Sequence, residues 1–536
     1  MNYKHILLAF AMACFTATSA EAQSKSNPAR KGKATATNAD SLQVRKLIDA
    51  AKQGDSEAQN TLGTYYYAGK KVKRNYEVAL KWFSMAAQQK HVKAIANMGL
   101  CYQLGKGIER DSMMAVKLYK ESIKAGNIEL VKQREELVEK SHTPFNINLL
   151  ADIYYNGCGK TVEKNHELAL KYYIMADAND LPEAAFIVAN LYDQDMKYAE
   201  ALPFYQKAAA RGNAMAEYKC GDYLCNGKGT AVDKAKAVKH LEKAVGQNIP
   251  NAMMLLGNLL YKGDDVQQDY SKAMNLYKRA AVNGNPAAAW NVGIMYKNGQ
   301  GAKENYLIAL QWFANAATKG MDMNFQKQLN EANVEIKNGW KNTDFYTFVH
   351  ALWLLEGPTP NLAEAVKLLT ALEKKNLPEA TTILGMCYAD KQWKKANEKK
   401  MLECYEKAAK EGDPHANYLL AKLHLDDTKV IKANKIKVVE CYEKAAEAGY
   451  APAQCELGNL YYTGKIVSKN ITKAIVYYND ALLNGYLSED AAQNLATCFR
   501  QGLGGVEQNA DLARSIEGCG QPANAWTALL QSVSFE

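Results

Sequence analysis

Four glycine-containing loops are the first places in this sequence of 536 residues where chemistry could occur. They contain the strings GKG (105–107), GCG (157–159), GKG (227–229) and GQG (299–301). Backbone N–H groups of such loops can bind phosphate, but a P-loop requires GxxxxGK and then Ser or Thr, after a strand. Here five residues separate Gly221 from Gly227, Gly229 follows Lys228, and the flanking segments have helical patterns. We therefore predict no phosphate site.

Histidine and carboxylate residues form no recognisable catalytic set either. The eight histidines include no HExxH, HxH or Cys-His cluster, and no GxSxG or SxxK motif occurs. Glu57, Glu183 and Glu379 lie near predicted helix starts, where the helix dipole is sufficient to stabilise a carboxylate. We predict no catalytic residue, no metal site and no cofactor, and hence a protein that is not an enzyme.

Cysteines follow no paired spacing. Cys101, Cys387 and Cys498 occupy equivalent helix positions, which is typical of small apolar core residues. If the chain is exported, disulfides could form, and the alternatives are Cys404–Cys441, Cys498–Cys519 and Cys441–Cys455. Spacing alone leaves these alternatives open.

An internal repeat explains most of these residues. A small residue recurs inside an apolar helical stretch, and the steps 63 to 99, 221 to 257 and 257 to 293 are each 36 residues. We call this residue the marker. It falls at Gly63, Gly99, Ala151, Ala189, Gly221, Gly257, Gly293, Ala351, Gly385, Ala421, Gly458 and Ala496.

Each repeat has the sequence pattern of two consecutive helices. Glycine inside a helix costs about 1 kcal/mol relative to alanine, so the recurring marker indicates that a second helix must approach closely. A second glycine six residues later, such as Gly69, suits a helix C-terminus. Asn or Asp twelve residues after the marker, such as Asn75, suits the N-cap of the next helix. Pairs such as Trp312-Phe313 then fill the core of the repeat.

The pattern A-x-x-x-L-G-x-x-Y-x-x-G, followed by Asp or Asn and then A-A-x-x-G, resembles the Sel-one-like repeat family, a relative of the tetratricopeptide repeat. The resemblance covers residues 41–520 and departs at Ala189, where the loop is short, and at Ala421, where His424 replaces the tyrosine. It implies an all-α fold, an α-solenoid of about twelve antiparallel helix pairs in a right-handed superhelix. Cysteine-rich members linked to β-lactam chemistry carry a regular cysteine pair, which this chain lacks.

The resemblance also implies a concave groove lined by the first helices. In tetratricopeptide relatives, the positions three before, one after and four after the marker face this groove, and Asn there helps to bind peptides. The candidate groove residues here are Asp152, Tyr155, Asn190, Asp222, Asn258, Tyr261, Trp290, Ile294, Lys297, Asn459 and Tyr462. We expect Trp290, Ile294 and Lys297, which flank the marker Gly293, to be exposed and to give the repeat that contains them its partner specificity.

The N-terminus reads as an export signal. A basic start at Lys4, an apolar run over residues 6–15, and small residues at Ala20 and Ala22 are typical of a signal peptide cleaved after Ala22. A periplasmic or secreted protein is therefore predicted. A lipid anchor at Cys14 is the alternative, although its flanking residues are a poor acylation context.

The predicted domain organisation follows from these patterns. It comprises a signal peptide (1–22), a disordered basic linker (23–40), a first repeat block (41–126), a helical insertion (127–143), a second block (144–320), a second helical insertion (321–341), a third block (342–520) and a C-terminal tail (521–536).

Charge limits the class of partner. The net charge is +9, but basic and acidic residues are interspersed, so we predict no nucleic-acid partner. No integral membrane span is predicted, although an association with the cell envelope is compatible with the basic linker. The leading hypothesis is an exported scaffold or adaptor that binds a protein or peptide in the groove. The alternatives are a cell-envelope enzyme or accessory subunit acting on wall or glycan material, and a structural spacer.

Overall fold

The computed structural model describes residues 38–318, 343–356, 360–391, 393–427 and 430–520. Its contacts divide the chain into two compact units, which meet in sequence between Ala216 and Glu217. This division falls inside the predicted second block, and the block boundaries remain a prediction. The expected signal peptide, nearly all of the linker, the second insertion and the C-terminal tail lie outside the described residues.

The first unit contains ten α-helices in its described part. They are α1 (Asn38–Lys52), α2 (Ser56–Ala68), α3 (Tyr76–Gln88), α4 (Val92–Leu104), α5 (Ser112–Lys124), α6 (Ile128–Ser141), α7 (Pro144–Asn156), α8 (His166–Ala178), α9 (Ala184–Gln194) and α10 (Tyr198–Ala210). Four antiparallel pairs, α2–α3, α4–α5, α7–α8 and α9–α10, form the repeats. Helix α6 is a single helix between the second and third pairs.

The second unit contains sixteen helices in its described part. They are α11 (Ala214–Asn226), whose first residues precede the division, α12 (Lys234–Gly246), α13 (Pro250–Lys262), α14 (Tyr270–Val282), α15 (Pro286–Lys297), α16 (Tyr306–Thr318), α17 (Asp344–Glu356), α18 (Leu362–Glu373), α19 (Pro378–Ala389), α20 (Glu398–Lys410), α21 (Pro414–Leu423), α22 (Lys435–Glu447), α23 (Ala451–Thr463), α24 (Ile471–Leu483), α25 (Glu489–Gln501) and α26 (Ala510–Glu517). They form eight consecutive pairs, seven from α13–α14 to α25–α26 and, before them, α11–α12, in which Gly221 lies against Leu241. A short 3-10 turn, Leu503–Gly505, precedes α26.

The predicted all-α array of twelve helix pairs is thereby confirmed, while the handedness of the superhelix stays a prediction. In the described part of the chain no strand forms, and the exception to helix and loop is a single bridge between Cys158 and Val162. No helix among the described residues is long and apolar enough to cross a membrane.

Local chemistry sets the helix ends as predicted. Gly69 ends α2 in the left-handed conformation (φ 72°), and its N–H donates to the Tyr65 carbonyl at 2.8 Å. Asn75 then begins α3, because its side chain accepts the Val78 N–H at 3.1 Å. The same arrangement closes the loop before α14, where Gly263 ends one helix and Asp269 caps the next.

The marker glycines lie against a large side chain of the second helix. A Cβ atom built on Gly257 would lie 2.7 Å from a ring carbon of Tyr277, and one on Gly63 would lie 2.7 Å from Phe83. Tyr277 and Phe83 are both buried, at 2% exposed each. The glycine therefore lets the ring rest on the helix backbone, which is the close approach that the sequence pattern indicates.

Repeats that are not neighbours also touch within the second unit. Asn315 on α16 donates to the Gly485 carbonyl at 2.7 Å, and the ammonium of Lys278 on α14 donates to the Asn484 side chain at 2.8 Å. Lys303, in the loop before α16, donates to the Glu411 carbonyl at 2.7 Å. In a simple repeat array each repeat contacts only its neighbours. We call this packing of α14–α16 and their loop against the turns at 411–413, 447–449 and 484–485 the cross-array contact.

We predict that Gly257→Ala destabilises the second unit by about 1–3 kcal/mol, because the new methyl group must displace the Tyr277 ring. Gly246 is the matched control, since it is also helical but a Cβ there would meet nothing within 4 Å. Gly246→Ala should leave stability unchanged or raise it by up to about 1 kcal/mol. Denaturant unfolding followed by circular dichroism distinguishes the two, and equal effects would contradict the packing role of the marker.

Candidate protein-binding surface

Three of the candidate groove asparagines have an internal partner. Each directly follows its marker, and each side-chain carbonyl accepts a hydrogen bond from a buried tyrosine hydroxyl of the second helix. The pairs are Tyr205–Asn190 at 2.8 Å, Tyr277–Asn258 at 2.7 Å and Tyr478–Asn459 at 2.8 Å. A buried hydroxyl needs such a partner. At Gly257 and Gly458 the asparagine therefore fixes the ring that rests on the marker, a role that was not predicted from the sequence.

The neighbouring repeat extends this network at the end of the second unit. The Asn494 amide, on α25, donates to Asn459 Oδ1 at 3.0 Å and to the Tyr478 hydroxyl at 3.3 Å. Desolvation raises the pKa of Tyr478, so its hydroxyl stays protonated at neutral pH. The network leaves Asn459 Nδ2 and Asn494 Oδ1 without a partner among the described residues.

A cavity of about 330 Å³ opens beside this network, between α23 and α25. It is lined by Glu456, Asn459, Leu460, Thr463, Lys465, Asp490, Gln493 and Asn494. Gln493 and Thr463 are exposed there, whereas Asn459 and Asn494 are half-buried. The lining thus offers amide donors and acceptors together with charges of both signs.

The candidate aspartates are engaged locally. Asp152 pairs with Lys120 of the preceding repeat and accepts from Asn156 at 2.6 Å. Asp222 pairs with Lys228 at 2.9 Å. Both carboxylates therefore contribute to the surface as ion pairs rather than as isolated charges.

The candidate tyrosines are half-buried and lie on the first helices of their repeats. Tyr155 packs edge-on against Tyr173, with ring centroids 5.8 Å apart. The Tyr261 hydroxyl donates to Gln300 at 2.9 Å. The ring of Tyr462 lies 5.9 Å from the Lys469 ammonium.

The expectation that Trp290 is exposed is wrong. Trp290 is 7% exposed, and its ring centroid lies 4.5 Å from that of Phe313. The position three before the marker lies beside the ring that covers Gly293, so a large side chain there joins the core. Ile294 is half-buried against the same core. Lys297 is also half-buried, its ammonium lies 5.9 Å from the Phe345 ring centroid, and desolvation lowers its pKa.

The described residues hold no cluster of three or more His, Cys, Asp or Glu side chains arranged for a metal ion. The ten cysteines in the described part of the chain are free thiols. Cys101, Cys387 and Cys498 are all buried, at 4% exposed or less. Burial raises the pKa of Cys101 to about 12, which disfavours the reactive thiolate.

Comparison with known proteins agrees with the repeat structure. The family model for the Sel1 repeat matches eleven segments, at residues 56–91, 92–127, 147–176, 182–213, 214–248, 250–285, 286–321, 378–413, 414–450, 451–486 and 489–515. This chain belongs to the Sel1 repeat family. The helix pair that the family model does not match is α17–α18. Sel1 repeat proteins are generally scaffolds for protein–protein interaction and generally not enzymes.

Solved structures with some similarity include two Sel1-type proteins. The protective antigen c5321 of uropathogenic Escherichia coli, described as displaying an SLR fold, is 22% identical over 91% of this chain and 93% of its own, with a TM-score of 0.34. A Sel1 repeat protein from Oxalobacter formigenes is 25% identical over 61% of this chain and 90% of its own, with a TM-score of 0.32. No curated protein matched.

We predict that Asn459→Ala destabilises the second unit by about 1–3 kcal/mol, because it removes the acceptor of the buried Tyr478 hydroxyl. Adding Tyr478→Phe should restore part of the loss, since no hydroxyl then needs an acceptor. Asn479→Ala on α24 is the control, because Asn479 is exposed and its substitution should change stability by less than about 0.5 kcal/mol. Denaturant unfolding of the unmodified chain, Asn459→Ala, Tyr478→Phe, the double variant and the control tests this; additive losses of the two single variants would contradict the network.

Proposed function

We propose that this protein is an exported scaffold that binds a protein or peptide partner on its first-helix face. The observation that carries the proposal is the Asn459–Tyr478–Asn494 network, which holds two carboxamides rigidly beside the cavity between α23 and α25. An N–H donor on Asn459 and an acceptor on Asn494, both without a partner in the described part of the chain, complement the C=O and N–H groups of a peptide backbone.

Pre-organisation supports this function. Ordering a long side chain on binding costs about 0.5–1.5 kcal/mol, and the network meets that cost during folding. The exposed Gln493 lies on the same cavity and takes no part in the tyrosine network, so it can adapt to the partner. Thr463 is exposed beside it, and its hydroxyl donates to the Asn459 backbone carbonyl at 2.8 Å, which leaves its oxygen as an acceptor.

Export is the second part of the proposal. It rests on the sequence of residues 1–22, with its basic start, apolar run and small residues before Gln23. An exported chain would meet its partner in the periplasm or outside the cell. The basic linker at 23–40 would then tether the array near an anionic envelope surface.

Site-specific photocrosslinking in cells tests the proposal. A photoreactive residue placed at Gln493 should capture one partner protein, whereas the same residue at Asn479, exposed on α24, should not. With that partner in hand, Gln493→Ala combined with Thr463→Val should weaken binding at least about tenfold, or about 1.4 kcal/mol.

The control is Asn479→Ala, which should bind as the unmodified chain does. Equal capture through both positions, or unchanged affinity of the double variant, would refute partner binding at the cavity between α23 and α25. The captured chain also tests export, because its N-terminus should be Gln23; a chain that retains Met1, or one that begins at Cys14, would refute cleavage after Ala22.

A further inference from the structure

The cross-array contact encloses a second cavity, of about 280 Å³, within the second unit. Its walls come from the loop before α16, the start of α19, the turn before α21 and the end of α22. Two carboxylates on its wall are almost fully buried: Glu379 is 3% exposed and Asp413 is 2% exposed. In the sequence, Glu379 lies near a predicted helix start, as Glu57 and Glu183 do.

Hydrogen bonds tie both carboxylates across the contact. Glu379 accepts the backbone N–H of Tyr306, the first residue of α16, at 3.2 Å. Asp413 accepts from the Asn305 side chain at 3.5 Å and also caps α21, accepting the Ala416 N–H at 3.1 Å. These bonds join residues that are 73 and 108 positions apart in the sequence.

No cation balances this pair among the described residues. Lys303 lines the cavity, but its ammonium donates to the Glu411 carbonyl. Glu304 and Glu447 also line the cavity and add negative charge. Two buried carboxylates on one cavity wall, with no cation to balance them, resist ionising together.

Burial is the first cause of the resulting shift, and the charge of Asp413 is the second. Together they raise the pKa of Glu379 from its ordinary 4.5 to about 7. The closed contact thus retains a proton on Glu379 under mildly acidic conditions, where an exposed glutamate would have lost it.

We propose that the cross-array contact is a proton-operated latch, closed while the Glu379–Asp413 pair holds a proton and loosened when both carboxylates are charged. The latch joins α16 to the turns before α19 and α21. Opening breaks the hydrogen bonds from Tyr306 and Asn305 and exposes Glu379 to water.

The direction of the pH dependence follows from linkage. Between pH 4.5 and about 7 the closed form binds more protons than the open form, so closure weakens as pH rises. Each pH unit within this window lowers the ratio of closed to open forms by at most about tenfold. Outside this pH range, the ionisation of Glu379 adds no further pH dependence to the closure of the latch.

Other titratable groups near the latch do not reproduce this effect. Glu304 and Glu447 line the same cavity, but their side chains are exposed, whereas Glu379 is buried. Burial outweighs the opposing charge of Asp413 and lowers the pKa of His415, which favours the opposite direction. Its ring packs on Tyr418 and Tyr450, within the α21–α23 stack rather than across the contact.

Hydrogen exchange of the full chain tests the latch. Backbone amides of residues 303–308 should lose protection at least about tenfold between about pH 5 and about pH 8, after correction for intrinsic exchange. In Glu379→Gln, which cannot ionise, protection should change less than about twofold over the same range. Residues 75–79, the equivalent helix start in the first repeat, are the internal reference and should not change.

Constant protection in the unmodified chain, or an equal fall in Glu379→Gln, would overturn the proposal. Lys303→Met provides a second variant if Glu379→Gln does not fold. It removes the bond to the Glu411 carbonyl and should lower protection at both pH values while retaining the fall; a fall that disappears with Lys303 would assign the pH dependence to the lysine and overturn the latch.

Discussion

The contact between a small marker residue and a bulky side chain of the next helix is the constraint on which this structure depends. The pairs lie twenty residues apart: Gly63–Phe83, Gly99–Tyr119, Gly221–Leu241, Gly257–Tyr277, Gly293–Phe313, Gly385–Tyr405 and Gly458–Tyr478. In each, a Cβ on the glycine would lie 2.3–2.9 Å from the side chain opposite it, closer than real Cβ contacts come. The fixed loop length follows from this contact, because the two helices must meet at the same height in every repeat. At Gly257 and Gly458 the asparagine after the marker follows as well, since a tyrosine pressed onto the backbone needs a nearby acceptor for its hydroxyl.

The sequence predicts those features that depend on neighbours in the chain. Gly69 and Asn75 end and begin helices through their own backbone and side-chain chemistry, so their roles could be derived from residue type and spacing. The internal role of Asn258 was also within reach, because a tyrosine recurs at a fixed distance from it. The carboxamides that face the cavity are predictable in position, but their rigidity depends on Asn494 of the next repeat.

Contacts between distant repeats could not be predicted in this way. Trp312 is 1% exposed, because Gly485 lies against its ring, whereas Trp82 at the equivalent position is only half-buried. Glu379 resembles other first-turn glutamates in sequence, yet α16 buries it. A repeat pattern describes only what the repeats share. Residues such as Glu379 have a second role because they contact distant repeats, and the repeat period does not predict those contacts.

A double-mutant cycle on Gly63 and Phe83 tests the central claim most directly, because this pair carries no hydroxyl and takes no part in the cross-array contact. The free energies of unfolding of the unmodified chain, Gly63→Ala, Phe83→Leu and the double variant are measured with denaturant. If the methyl group and the ring compete for the same space, the double variant will be more stable than the sum of the single losses predicts, by about 1 kcal/mol or more. Additive losses, within about 0.5 kcal/mol, would show that the marker glycine does not exist to seat the ring and would contradict this account of the fold.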